Sequence, residues 1–323
     1  MHRILAVAVG KGADTSASAV ARLVIGTKHS KEMRPYVAGL ISGLEKLGLK
    51  PGTDFEIDYA TSEPKALKKL VQNAIAEHKP DAMFAMSTTA VKVAMSVSKD
   101  IPIVFPSISD PVADGIAKSC SAPGKNATGI RSLRQQSVHE GLELFKMTVP
   151  SLKTIYGLHK PAYGPATRAL AEVKKAAKKA KVAFKSVTVR SHKDIAKELD
   201  KISQSGPAGS PQVGVMVMPD DLVLSAWRHV ADTAQDKNLP TFYPVTDWVR
   251  EGSSALAGYG VPQHTGGEAA AAYMRKVLHG VPAKHLPIRR AGGFEWAVNR
   301  SVAKALGITL PAHVLAAADR VVG

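Results

Sequence analysis

The chain holds one cysteine, Cys120, in 323 residues. That excludes an intramolecular disulfide and any zinc site built on cysteine pairs. Acidic residues are short as well: 27 Asp+Glu face 43 Lys+Arg, a formal charge of +16. A surplus of that sign attracts nucleic acid or an anionic membrane, and it serves equally as a solubility trait. Aromatics make up only 5%, so base stacking along a basic stripe has little to draw on. No apolar run reaches about 18 residues, which excludes a membrane-spanning helix. The sequence also lacks G-x-G-x-x-G, G-x-x-x-x-G-K-[ST], G-x-S-x-G and H-E-x-x-H. Dinucleotide, P-loop, hydrolase-elbow and zinc-protease chemistry are therefore without a fingerprint, and no cofactor or metal is expected.

What is present suits a packed fold. Hydrophobic residues are 45% and charged residues 22%, the composition of a globular chain that buries a core. The length fits two domains of ordinary size or one large one. At the start, His2 and Arg3 precede the apolar run Ile4 to Val9, and Ser16-Ala17-Ser18-Ala19 follows. That is the order of an export signal, which Lys11 and Asp14 interrupt. Two readings of residues 1–19 stand open: a degenerate or truncated export signal, or a first strand and loop forming an N-terminal extension.

From Ala21 on, strand-like and helix-like runs alternate. Ala21–Gly26 reads as a strand, and Val37, Leu40, Ile41, Leu44 and Leu47 share one helical face. Phe55 and Ile57 mark a strand. A helix opens at Pro64, where a first turn tolerates proline. Strands at 82–86 and 101–105 flank a helix at 90–97. The rhythm then repeats: strand 154–158, helix 165–181, strand 184–189, a helix around 195–202, strand 213–218, helix 222–234 and strand 241–243. Residues 205–211 (SGPAGSP) read as a surface loop. Alternating βα units with near-continuous apolar strands predict α/β architecture, a parallel sheet covered on both faces, twice over.

In open α/β sheets, ligands bind beyond the carboxyl ends of the strands. The residues there are Lys28-His29-Ser30, Ser87-Thr88-Thr89 and Ser109-Asp110 in the first half. In the second half they are His159 to Tyr163, Asp220-Asp221 and Tyr243 to Trp248, with Asp247 among them. Hydroxyls and exposed N–H groups at a helix start suit a carboxylate. Asp110, Asp220 and Asp247 suit an ammonium or a hydroxyl. Tyr36, Tyr163, Tyr243, Trp248 and Tyr259 could stack on an organic ligand. Each residue also has a plain reading as a cap or packing group, and the signal is the coincidence in both halves. The lysines at 174, 175, 178, 179 and 181 oppose an apolar helix face and read as solvated; a nucleic-acid partner is not expected. The sequon Asn126-Ala127-Thr128 matters only in a glycosylating secretory pathway.

The segment IPIVFPSISDPVADGIAKSCSAPGKNATGI, Ile101 to Ile130, resembles a signature of one group of ABC-transporter solute-binding proteins. There a strand leads into Asp-Pro-Val, a Gly follows, and a Pro-Gly-x-Asn-x-Thr-Gly turn closes the segment. DAMFAMSTTAVKVA (81–94), VMPDDLVLSAW (217–227), EGSSALAGYG (251–260) and the tail from Phe294 to Val322 are similar too. The resemblance implies a type I periplasmic-binding fold: two Rossmann-like doubly wound lobes, joined by a hinge of about three crossovers, with ligand in the cleft. The lobes would comprise 20–133 plus 262–284 and 134–261 plus 285–323. It implies a monomeric, non-enzymatic, periplasmic receptor for a small carboxylate-bearing, amino-acid-like or aromatic ligand, serving an ABC permease and ATPase. Ser87, Thr88, Thr89, Asp110 and Asp220 match the group's binding turns. Ser87 stands where the group often has Gly, Asp221 where it often has Asn, and Lys28-His29-Ser30 replaces a His-Pro-x-Leu-Asp pattern. Lys28, His29, Ser109, Tyr163, Tyr243 and Asp247 complete the candidate site. Asp220→Ala and Thr88→Val are expected to weaken binding. Two alternatives remain: an enzyme on a doubly wound fold, and the effector-binding core of a transcription regulator. The second would need a helix-turn-helix ahead of Ala21, for which residues 1–19 are too few.

Overall fold

A computed structural model describes residues 21–27, 34–61, 64–161, 163–207 and 211–323. The readings placed on residues 1–19, on Lys28, His29 and Ser30, and on the middle of the 205–211 loop lie outside the described residues. In chain order the elements are β1 (Ala21–Thr27), α1 (Arg34–Lys46), β2 (Phe55–Thr61), α2 (Pro64–His78), β3 (Ala82–Ala85), α3 (Thr88–Val97), β4 (Ile103–Ile108) and β5 (Ala127–Arg131). There follow α4 (Arg134–Thr148), β6 (Thr154–His159), α5 (Gly164–Lys179), β7 (Ala183–Thr188), α6 (His192–Ser203), β8 (Val213–Val217), α7 (Asp221–Ser225), α8 (Trp227–Asp236), β9 (Thr241–Tyr243) and β10 (Ala257–Gly260). The chain ends with α9 (Gln263–Leu278), β11 (Arg289–Arg290), β12 (Glu295–Asn299), α10 (Arg300–Ala305), α11 (Ala312–Ala317) and β13 (Arg320–Val322).

The chain divides into two compact units, 1–132 with 263–292 and 133–262 with 293–323. In the first, the sheet order is β11-β5-β4-β3-β1-β2, with every pairing parallel. In the second it is β13-β12-β10-β9-β8-β6-β7, and only the β10–β12 pairing is antiparallel. The central strands β3, β4 and β8 are buried along their whole length. This is why their sequences run apolar without alternation: helices cover both faces. The two doubly wound lobes expected from the sequence are therefore present.

Three details differ from the sequence reading. The return to the second unit comes at 292 rather than 284, because 285–292 is fastened to the first. β11 pairs with β5, Tyr273 Oη donates to Pro287 O at 2.6 Å, and Thr128 Oγ1 donates to Leu286 O at 2.7 Å. The helix expected at 222–234 breaks at Ala226 (φ −100°, ψ 13°). There the Ser225 hydroxyl bonds back to Leu222 O at 2.7 Å, and Trp227 turns inward to stack on Trp248, ring centroids 5.1 Å apart. The strands β5, β10, β11, β12 and β13 complete the two sheets beyond the strands expected from the sequence.

The first unit is closed by helices far apart in sequence. A Cβ on Gly39 of α1 would lie 2.0 Å from His264 O, and one on Gly267 of α9 would lie 2.0 Å from Tyr36 O. Only glycine lets these two backbones approach so closely.

Candidate functional site

The two units are wound alike, so their strand ends can be compared. β3 and β8 hold the same place, each the third strand in sequence and each flanked by the unit's first and fourth strands. In the first unit, Ser87 caps α3: its Oγ accepts from Ala90 N at 3.1 Å. Ser87, Thr88 and Thr89 are all half-buried, so this first turn is not sealed into the core. After β4, Asp110 is half-buried and its Oδ1 accepts from Ala113 N at 3.1 Å. Ser109 is buried, and its carbonyl accepts from Arg131 Nε at 3.4 Å. The arrangement offers hydroxyls and helix-start N–H groups to an anion, with a carboxylate on the neighbouring strand end.

The second unit uses the equivalent position differently. Asp220 is 0% exposed. Its Oδ1 accepts from Leu222 N at 2.8 Å and Val223 N at 3.2 Å, and its Oδ2 from Lys160 N at 2.8 Å. One carboxylate thus caps α7 and holds the loop after β6. Burial pushes its pKa above the usual carboxylate range, against the three backbone N–H groups that pull it down. The structure makes it a fold-holding group.

Tyr243 is likewise 0% exposed, inside the core with Trp248 and Trp227. Its hydroxyl is buried without a hydrogen bond. Burial drives the phenol well above its usual range. Tyr36 and Trp248 are core residues too, at 2% and 3% exposure. These three rings pack the interior and offer no face for stacking on a ligand. Tyr163 and Asp247 remain half-buried at the ends of β6 and β9. Tyr259 is half-buried against Phe294, centroids 5.4 Å apart.

Arg320 escaped the sequence reading. From β13 it donates to Val249 O at 2.5 Å and Thr246 O at 2.7 Å, and its Nε and Nη2 meet Glu295 Oε1 at 3.0 and 2.7 Å. It thereby fixes the turn Thr246–Trp248 that carries Asp247. No local signal could have shown this, because the partners lie some 70 residues upstream along the chain.

The Pro-Gly-x-Asn-x-Thr-Gly turn proves to be scaffold. Asn126 Nδ2 donates to Ser98 O at 3.1 Å and Ile101 O at 2.9 Å. Gly129 (φ +149°) lies so close to β4 that a Cβ would sit 2.0 Å from Phe105 O. With both amide hydrogens engaged, Asn126 does not present itself as a glycan acceptor. Among the described residues no cluster of His, Cys, Asp and Glu could hold a metal ion, and no helix is long and apolar enough to cross a membrane.

Comparison with known proteins agrees with this architecture. A tyrosine-binding protein of Clostridioides difficile is 26% identical over 273 residues, 83% of this chain and 75% of the relative. A conserved domain protein from Vibrio cholerae superposes with a TM-score of 0.83 at 27% identity, covering 93% of this chain and 99% of the other. An ABC domain from Streptococcus pneumonia in complex with L-Trp superposes with a TM-score of 0.81 at 24% identity, again covering 93% and 99%. The shared fold is that of the type I periplasmic binding proteins. The model of the family described as ABC transporter substrate binding protein matches residues 23–322, and with nearly its whole length inside that match, the chain belongs to this family.

Proposed function

We propose that the chain is a monomeric, extracytoplasmic solute receptor of an ABC importer. It binds a small ligand that joins a carboxylate to an apolar or aromatic body, delivers it to a permease and its ATPase, and catalyses no reaction. The observation that carries the ligand chemistry is the first turn of α3, where Ser87, Thr88 and Thr89 stay half-buried after β3, with half-buried Asp110 after the neighbouring strand β4. Hydroxyls and helix-start N–H groups suit a carboxylate, and the aspartate suits an ammonium. The tyrosine-binding relative and the tryptophan-bound neighbour support an amino-acid ligand. From the second unit, Tyr163 and Asp247 are the half-buried candidates. Lys28 and His29, outside the described residues, complete the proposed set. Asp220 and Tyr243 act through the fold.

The test is a thermal-shift screen of ligand-free protein against amino acids, aromatic acids, purines and short peptides. One-site binding at about 100 times the dissociation constant stabilises by about 2.7 kcal/mol. A rise confined to aromatic amino acids is the expected result. A flat profile on protein shown by mass spectrometry to be ligand-free overturns the reading.

A further inference from the structure

The excess positive charge has a location. β7 closes one end of the second sheet and pairs only with β6. α5 buries Ala169, Val173, Ala176 and Ala177 on one face of that sheet, while α6 buries Ile195, Leu199 and Ile202 on the other. The outward sides of the two helices therefore bracket the exposed edge of β7 in one continuous surface. Residues 171–201 supply it with nine lysines and one arginine against four carboxylates.

Those carboxylates are already engaged. Glu172 holds Lys175 at 2.9 Å, Glu198 holds Lys201 at 2.6 Å, and Asp200 holds Lys237. Asp194 accepts from Arg190 N and Ser191 N at the start of α6. Among the described residues, Lys174, Lys178, Lys181, Lys193 and Lys197 form no ion pair, and all five are exposed. Lys181 is held at φ +53°, a conformation that glycine takes at Gly48, Gly280 and Gly307 after other helices. A lysine thus occupies a position where a side chain is strained.

We propose that the α5–β7–α6 face is an adsorption surface for an anionic phospholipid bilayer. Lysine is a compact charge on a flexible stem, suited to mobile headgroups that demand no fixed geometry. Polybasic surfaces are attracted to anionic leaflets within a Debye length. Nucleic acid fits less well: the segment's only aromatic, Phe184, is half-buried, leaving nothing on which bases could stack. The densest charge, Lys174, Lys175, Lys178, Lys179 and Lys181, sits on the carboxyl half of α5 and just beyond it, while Lys193 and Lys197 lie on the amino half of α6. In a parallel βα fold the carboxyl end of α5 lies on the side of the unit opposite the carboxyl strand ends, away from Tyr163 and Asp247. The transport reading enters only in supplying a membrane for this face to meet.

The test is cosedimentation of the whole chain with vesicles of phosphatidylcholine alone or mixed with phosphatidylglycerol. Binding to the mixed vesicles only, and release at about 0.5 M salt, is expected. Substituting glutamine at Lys174, Lys178, Lys181 and Lys197 together is expected to weaken partitioning about tenfold or more. The same charge change at exposed Lys68, Lys69, Lys92 and Lys118 is expected to leave it within about twofold. No binding to anionic vesicles, equal loss in the two variants, or tighter binding of duplex DNA at the same salt overturns the proposal. The amino-acid thermal shift, measured on the same variants, reports separately on the receptor reading. A missing shift in the parent sinks that reading and leaves the vesicle result standing.

Discussion

Ser87 and Asp220 occupy the same place in two similarly wound units, and each caps the helix that follows. Ser87 accepts one hydrogen bond on a neutral hydroxyl and stays half-buried, while Asp220 accepts three on its carboxyl and is shut off from water. The pair shows that one position in a fold can leave a helix-capping side chain partly open to solvent in one lobe and bind it fully into the chain in the other. What decides is whether the side chain's acceptors are already filled by backbone.

The largest test of that contrast is Asp220→Ala. It strands three N–H donors, that of Val223 buried and those of Leu222 and Lys160 partly so, and an unsatisfied buried group costs about 1–3 kcal/mol. Urea denaturation is expected to show a loss of about 3 kcal/mol or more. Unchanged stability would return Asp220 to the list of solute contacts. Thr88→Val works the other way: affinity for the best ligand of the thermal screen drops about tenfold, measured by calorimetry, while stability holds within about 0.5 kcal/mol. If stability falls and affinity does not, the α3 turn is only a cap.

Tyr243→Phe removes a buried hydroxyl that lacks a partner. It is expected to raise the melting midpoint, worth up to about 1 kcal/mol, with ligand affinity unchanged. A loss of affinity would show the hydroxyl reaching solute after all. The smallest effect concerns pH. The Asp220 carboxyl has a raised pKa in the folded chain, so its contribution is complete below the ordinary carboxylate value near 3.9 and is lost as pH rises through the higher folded value. The stability advantage of the parent over Asp220→Asn is therefore expected to shrink from about pH 4 upward. An advantage that grows over that range contradicts the raised pKa.

Much of the architecture was legible because it rests on local signals. Apolar runs too short for helices marked β3, β4 and β8, and Pro64 marked the start of α2. The strand-end rule located Ser87 and Asp220 correctly along the chain, yet residue type could not say which was exposed. That depended on Lys160, whose N–H comes from a loop 60 residues away. Tyr243 and Trp248 misled for a similar reason: an aromatic at a strand end serves equally as core, and Trp227 supplied the stacking partner that made it so. Arg320 was invisible because its role exists only once β13 lies beside β12.

The contact between α1 and α9 has a consequence for how the molecule comes into being. The first unit needs residues 263–292, so a growing chain must emerge through the whole of 133–262 before the glycine seam at Gly39 can close. Until then the opening segment carries an uncovered apolar face and pairings of long sequence separation, the slowest kind to form. The first unit therefore completes its packing only after residue 292 has been made, and until then its apolar segments depend on helpers that keep sticky surfaces apart.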